Sequence, residues 1–285
     1  MFKKRFLCLA AAIFLSLSLC ACSSNETDST STSSSSDSAL SIKQQVLYDE
    51  NDIKIVAKSL ETDGTFGPEL ALQITNNSDT DISVKSQRAT INGVMVESKL
   101  SSTVSAGTSS DDTLYFIKSS LEKANITTLA NLEFSLEITD STTSTVIADT
   151  EQITLETSNS SYSQSYDSSG ATIVDQNGIK INVQGTENDE TLNSTKIKLY
   201  IENNSEDPVT IQARNTVINS IQIDPIFSCT IMPGKIAYSS LSFDNDKLAE
   251  NSISAITDLQ LNFSVLDCDT LQSIFETDTV SATIN

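Results

Sequence analysis

The chain of 285 residues contains no histidine and no tryptophan, only 8 glycines and 4 prolines, and 17 Lys and Arg against 38 Asp and Glu. Each shortage removes a class of chemistry. Without histidine, the commonest general base, the usual Ser-His-Asp triads and most zinc sites are gone. No Gly-x-Ser-x-Gly nucleophile elbow is found either. Without tryptophan there is no obvious sugar platform, and no Cys-Trp-Cys core of the antibody kind. Among 38 acids a carboxylate pair is inevitable, so such a pair carries no specificity for glycoside hydrolysis. A net charge of −21 repels phosphate backbones, and nucleic acid is not an expected partner. The composition reads as a protein that is not an enzyme and that needs no cofactor and no metal.

What is present begins with an address. Lys3, Lys4 and Arg5 precede an apolar run of fourteen residues from Phe6 to Leu19. A bilayer-spanning helix takes about 20 apolar residues, so this run fits the h-region of a signal peptide. Leu19-Cys20-Ala21-Cys22 follows and resembles the bacterial lipobox, in which a small residue precedes the lipid-acceptor cysteine. Cys22 is the acceptor this predicts, because Cys20 would place bulky Leu19 at the −1 position; the alternative is an ordinary secretory peptide cut near Ala21. The expectation is a signal peptide over residues 1–21 and a lipidated, Ser/Thr-rich flexible tether over 22–42. The partner at this end is the lipid bilayer, reached through palmitate-type acylation of Cys22, and the location is the extracytoplasmic face of the cell membrane. Two acyl chains, at about 0.8 kcal/mol per buried methylene, make such attachment effectively permanent. Cleavage takes 3 of the 17 basic residues and no acid, leaving 14 against 38, a net of −24. Dispersed acidity of this kind keeps a surface protein soluble.

The body is a duplication. Shifted by 127 positions, the chain registers on itself from Leu72 to about Thr150 without a gap. Leu72-Gln73-Ile74 followed by Asn76-Asn77-Ser78 falls on Leu199-Tyr200-Ile201 followed by Asn203-Asn204-Ser205. Ile91-Asn92 falls on Ile218-Asn219, Gly107 on Gly234, Leu114 and Phe116 on Leu241 and Phe243, and Asp140 on Asp267. Within each copy apolar and polar residues alternate, as in Leu70, Leu72, Ile74 or Leu259, Leu261, Phe263, Val265, which is the pattern of half-buried strands. The Asn-Asn-Ser clusters read as turns. Ser119 with Glu122 has capping-box spacing before one short helix, and Asp246 is available to cap the matching helix that holds Leu248. The fold class predicted is all-β: two tandem immunoglobulin-like β-sandwiches, each with one short helix, over residues 43–157 and 171–285, joined by a linker at 158–170. Tyr162 and Tyr166 in that linker either dock at the domain junction or decorate the chain.

The runs Leu72 to Ser78, Ile91-Asn92-Gly93, Ala106-Gly107 and Leu114-Tyr115-Phe116 resemble the telokin-like immunoglobulin-fold domain of unknown function found in surface lipoproteins of Gram-positive bacteria. The second copy, with Val217-Ile218-Asn219, Asp224-Pro225-Ile226-Phe227-Ser228-Cys229 and Met232-Pro233-Gly234-Lys235, is similar to tandem forms of that domain in clostridial lipoproteins. The first copy departs at Ser98 and Ala106, where that family has proline. The resemblance implies fold and location rather than an activity.

Few residues invite chemistry. Asp244-Asn245-Asp246 and Asn188-Asp189-Glu190 cluster oxygen ligands but lack the Gly and Glu of a calcium loop, and read as solvated turns. Cys229 and Cys268 are matched by Ser102 and Ser141, so they come as a pair: either a possible disulfide or, since Cys229 sits in an apolar strand, two thiols. The function expected is that of a membrane-anchored lipoprotein acting as a non-enzymatic binding or interaction module, toward an unknown protein or envelope partner, with strand addition as one route. The alternative is a ligand-binding lipoprotein linked to a transporter or an envelope-sensing system.

Overall fold

The computed structural model describes residues 40–284; the expected signal peptide, the expected acceptor Cys22 and the expected tether up to residue 39 lie outside the described residues. The predicted alternation becomes strand pairing. The first half holds β1 (Gln45–Glu50), β2 (Ile53–Glu61), β3 (Glu69–Asn76), β4 (Ile82–Ile91), β5 (Val94–Met95), β6 (Ser98–Lys99), β7 (Ser101–Val104), β8 (Thr108–Phe116), α1 (Lys118–Lys123), β9 (Asn131–Asp140), β10 (Val146–Asp149) and β11 (Ile153–Glu156). One sheet has the order β1-β2-β3-β8-β6; facing it, β4 lies beside β9, which carries β10 and β11 on its other edge. Order β2-β3-β8-β6 against β4-β9-β10 is that of an immunoglobulin-type sandwich. In β3 every second residue is buried, and Leu70, Leu72 and Ile74 meet Phe134, Leu136 and Ile138 of the facing sheet in one core. The Phe116 and Phe134 rings pack edge to face there, 6.3 Å apart.

The second half repeats the plan with β12 (Ala171–Gln176), β13 (Ile179–Asp189), β14 (Ser194–Asn203), β15 (Val209–Ile218), β16 (Ile221–Gln222), β17 (Ser228–Ile231), β18 (Lys235–Asp244), α2 (Asn245–Glu250), β19 (Asp258–Asp267), β20 (Ser273–Glu276) and β21 (Val280–Thr283). Here β12-β13-β14-β18 faces a sheet built on β15 and β19. The 127-residue register reappears in side-chain geometry. Buried Asn76 donates to the Thr80 and Val104 carbonyls at 2.8 and 3.0 Å, and buried Asn203 donates to Asp207 and Ile231 at 2.9 and 3.0 Å. Each Oδ1 also accepts from the serine two residues on, Ser78 or Ser205, whose hydroxyl lies at 2.6 Å. These clamps tie the β3 and β14 ends to the next strands, so a polar residue with no exposure is fully partnered.

Both helices form, but not with the predicted caps. The cap is the last extended residue of the preceding strand, and in the second copy that is Asp244, which accepts from the Asp246 N–H at 2.8 Å; Asp246 is already in the first turn. Its counterpart is Ile117, which has no acceptor, so Ser119 lies inside α1 and forms no capping box. Cys229 and Cys268 are free thiols. Cys229 faces the second core, whereas Cys268 lies at a turn with Sγ 3.3 Å from an Asp269 carboxylate oxygen, so the pair is not placed to bridge.

Candidate functional site at the junction of the sandwiches

The two sandwiches share a seam. At β5 and β18 the edge of one sandwich adds in parallel to the edge of the other, pairing Val94 with Ile236, whose N–H donates to the Gly93 carbonyl at 3.0 Å. The two sheets thereby become one. Lys235 Nζ meets Glu133 Oε2 at 2.5 Å beside it, with both side chains less than one-fifth exposed. From the linker, Tyr166 donates to the Asn92 carbonyl at 2.7 Å, and the Asp167 N–H donates to the Tyr238 hydroxyl at 2.7 Å. Residues 158–170 form no strand. Both linker tyrosines keep more than a third of their surface exposed; docking holds for Tyr166 through its bond to Asn92, while the Tyr162 hydroxyl reaches only Gln164 of the linker itself, at 3.5 Å. Burial raises the phenol pKa of Tyr166, Tyr200 and Tyr238, so all three stay neutral across the physiological range.

Beside the seam lies a cleft of about 610 Å³. Its floor is a β-bulge: β4 advances from Gln87 to Thr90 while β9 moves only from Ser135 to Glu133. The extra residue leaves Arg88 at φ 54, a left-handed conformation that a non-glycine residue seldom takes. The turn throws the guanidinium across the cleft, where it pairs with Asp269 of the second sandwich and lies 4.0 Å from Asp149 of its own. Gln87 donates to Glu137 at 3.0 Å on the same floor. The roof is the Asp267–Thr270 turn, whose N–H groups at Asp269 and Thr270 bind the Asp267 carboxylate at 3.1 and 2.7 Å. The sequence singled out Cys268 of this turn as a possible disulfide partner, but neither Arg88 nor Asp269, because a bulge has no periodicity of its own.

A smaller pocket of about 150 Å³ opens on the other side of the linker, where Lys123, Lys196 and Lys198 approach Asp167, Glu187 and Tyr238. Lys196 is held by Asp189 at 2.5 Å, while Lys123 and Lys198 make no ion pair among the described residues. The oxygen-rich triplets do other work: Asp189 anchors Lys196 and Asp244 caps α2.

The Cys268 thiol lines the Arg88 cleft and is disabled by its surroundings. Burial, and then the Asp269 carboxylate, push its pKa up to about 11, and burial alone does the same for Cys229. At pH 7.5 Cys268 is expected to react with a disulfide reagent about a hundredfold more slowly than free cysteine, and Cys229 only on unfolding. Burst labelling of either thiol in the native protein would contradict this.

No family model matches the chain, and no curated protein does. Among solved structures it is similar to an exo-β-D-glucosaminidase, CsxA, at 10% identity and a TM-score of 0.25, over 78% of this chain and 26% of that one. The chain thus spans about a quarter of the glucosaminidase. It is also similar, at 11% identity and a TM-score of 0.23, to a protein of unknown function from Porphyromonas gingivalis W83, over 82% of this chain and all of the other. Neither likeness is close enough to bear on activity.

Proposed function

We infer that the chain is a non-enzymatic interaction module, held on the outer face of a cell membrane through lipid on Cys22. The observation that carries this reading is the seam. Two sandwiches are welded edge to edge, and the cleft beside the seam has its cation, Arg88, committed to two aspartates rather than offered to a substrate. Such a unit presents a fixed outer surface. Its own junction is an instance of strand addition, the mode by which exposed sheet edges take partners. Cross-linking on intact cells followed by mass spectrometry is expected to recover a protein or envelope partner; recovery of lipid alone would count against the module. Labelling with palmitate should be abolished by Cys22→Ala and unaffected by Cys20→Ala, and retention of label in Cys22→Ala would remove the anchor.

A ligand-binding lipoprotein serving a transporter or an envelope sensor is the second reading. It is favoured by the small junction pocket, where the ammonium groups of Lys123 and Lys198 are free for an anion. Isothermal titration with small carboxylates separates the two readings: saturable heat lost in Lys198→Gln supports the second.

A further inference from the structure

Arginine occurs three times in the chain, at Arg5, Arg88 and Arg214. The two within the sandwiches stand at the same feature. In the second sandwich β15 advances from Arg214 to Val217 while β19 moves from Asn262 to Gln260, and Asn215, at φ 52, takes the left-handed place of Arg88. This bulge also floors a recess, of about 450 Å³, lined by Gln212, Arg214, Asn215, Gln222, Asp224 and Phe227. The difference is the roof. In the first sandwich the acidic turn of the second closes the recess and leaves the Arg88 side chain 22% exposed. In the second sandwich Arg214 and Asn215 are exposed, and Arg214 hydrogen-bonds the Gln212 side chain; Asp224 lines the same recess, but no carboxylate lies in ion-pair reach of Arg214 among the described residues. Between the lining residues Pro225 and Phe227, Ile226 is 83% exposed, the highest value of any large apolar residue described, although its backbone is fixed to Ser242 in both directions at 2.8 and 3.2 Å. A rigidly held, solvent-facing isoleucine between two residues of the recess, together with an uncommitted arginine on its floor, has the composition of an interface centre.

We propose that the open recess of the second sandwich docks a β-turn of a partner protein that carries an aspartate at its tip, engaged by Arg214 as Arg88 engages Asp269, with an adjacent apolar side chain resting on Ile226. The proposal rests on the interaction-module reading and names its partner class. The molecule itself supplies the precedent, since the equivalent recess is filled by such a turn. Charge complementarity favours the same occupant, because a guanidinium binds a carboxylate with strong, oriented hydrogen bonds. A second copy of this chain is poorly equipped for the role: its corresponding free turn is Asp140–Thr143, and Thr142 stands where Asp269 does.

The probe is a fluorescent, backbone-cyclised peptide with the sequence of residues 264–276, carrying Cys268→Ser, titrated with the full chain and followed by anisotropy. Saturable binding is expected, weakened about tenfold by Arg214→Gln and equally by Asp269→Asn in the peptide, and relieved by salt. Ile226→Lys, which installs the residue found at the equivalent Lys99, should weaken it too. All these positions are exposed, so folding is preserved and circular dichroism verifies it. No saturable binding, binding indifferent to Arg214→Gln, or binding lost only in Arg88→Gln would overturn the proposal, the last because the peptide would then be displacing the intramolecular turn. If cells still yield a cross-linked partner with the Arg214→Gln chain, the recess fails while the module stands; loss of every partner from the unaltered chain is the failure of the module.

Discussion

Asn203→Asp is expected to destabilise the second sandwich by about 3–5 kcal/mol at neutral pH. The amide nitrogen of Asn203 donates to two carbonyls, those of Asp207 and Ile231, in a site with no exposure. Replacing that nitrogen by oxygen sets three acceptors against one another and introduces a buried charge, and neither carbonyl can turn to water without opening the strand ends. Because the folded state disfavours the ionised side chain, the folded pKa of the new carboxyl lies above its unfolded value near 3.9. Stability is therefore greatest below the unfolded pKa and falls as pH rises through the folded one. Urea unfolding from pH 4 to 8 checks this, and a variant as stable at pH 7 as at pH 4 would show that the amide is not the clamp described. Asn76→Asp should behave alike in the first sandwich, as its four partners are the same.

Glu133→Ala is the second large effect. Removing one member of a buried ion pair costs about 3–5 kcal/mol because the other charge is stranded. Here Lys235 and Glu133 retain 19% and 13% exposure, so water recovers part of that, and about 2–3 kcal/mol of coupling between the sandwiches is expected to go. The observable is cooperativity. The unaltered protein should unfold in one calorimetric transition, and Glu133→Ala in two, with Lys235→Ala matching it and the double variant little worse than either. Two transitions in the unaltered protein would show that the seam does not couple the halves.

Much of the fold was legible because burial on one sheet face imposes a period of two, and turns demand Asn, Ser and Gly. Ile53, Leu72, Phe134 and Phe263 all fall where alternation places them. The site was not legible, for a specific reason. The gapless register laid Arg88 over Asn215 and Gln87 over Arg214, so the one cation that each bulge carries was offset by a residue and looked unrelated. A residue spacing cannot report that both guanidiniums leave the same kink. The helix caps erred likewise: Ser119 matches a motif, but the chain enters α1 at Ile117, and the strand's end decides where a helix begins. Tyr166 was ambiguous since two tyrosines in a polar stretch have no apolar periodicity around them to give either one direction.

The seam also bears on how the molecule would carry a load. It consists of a single parallel residue pair and a few side-chain contacts, whereas each core is laced by strands of up to eleven residues. Under tension along the chain the weld parts first and the packed sandwiches survive. Residues 158–170 would then straighten to about 40 Å, a built-in slack that lengthens the protein without unfolding either half.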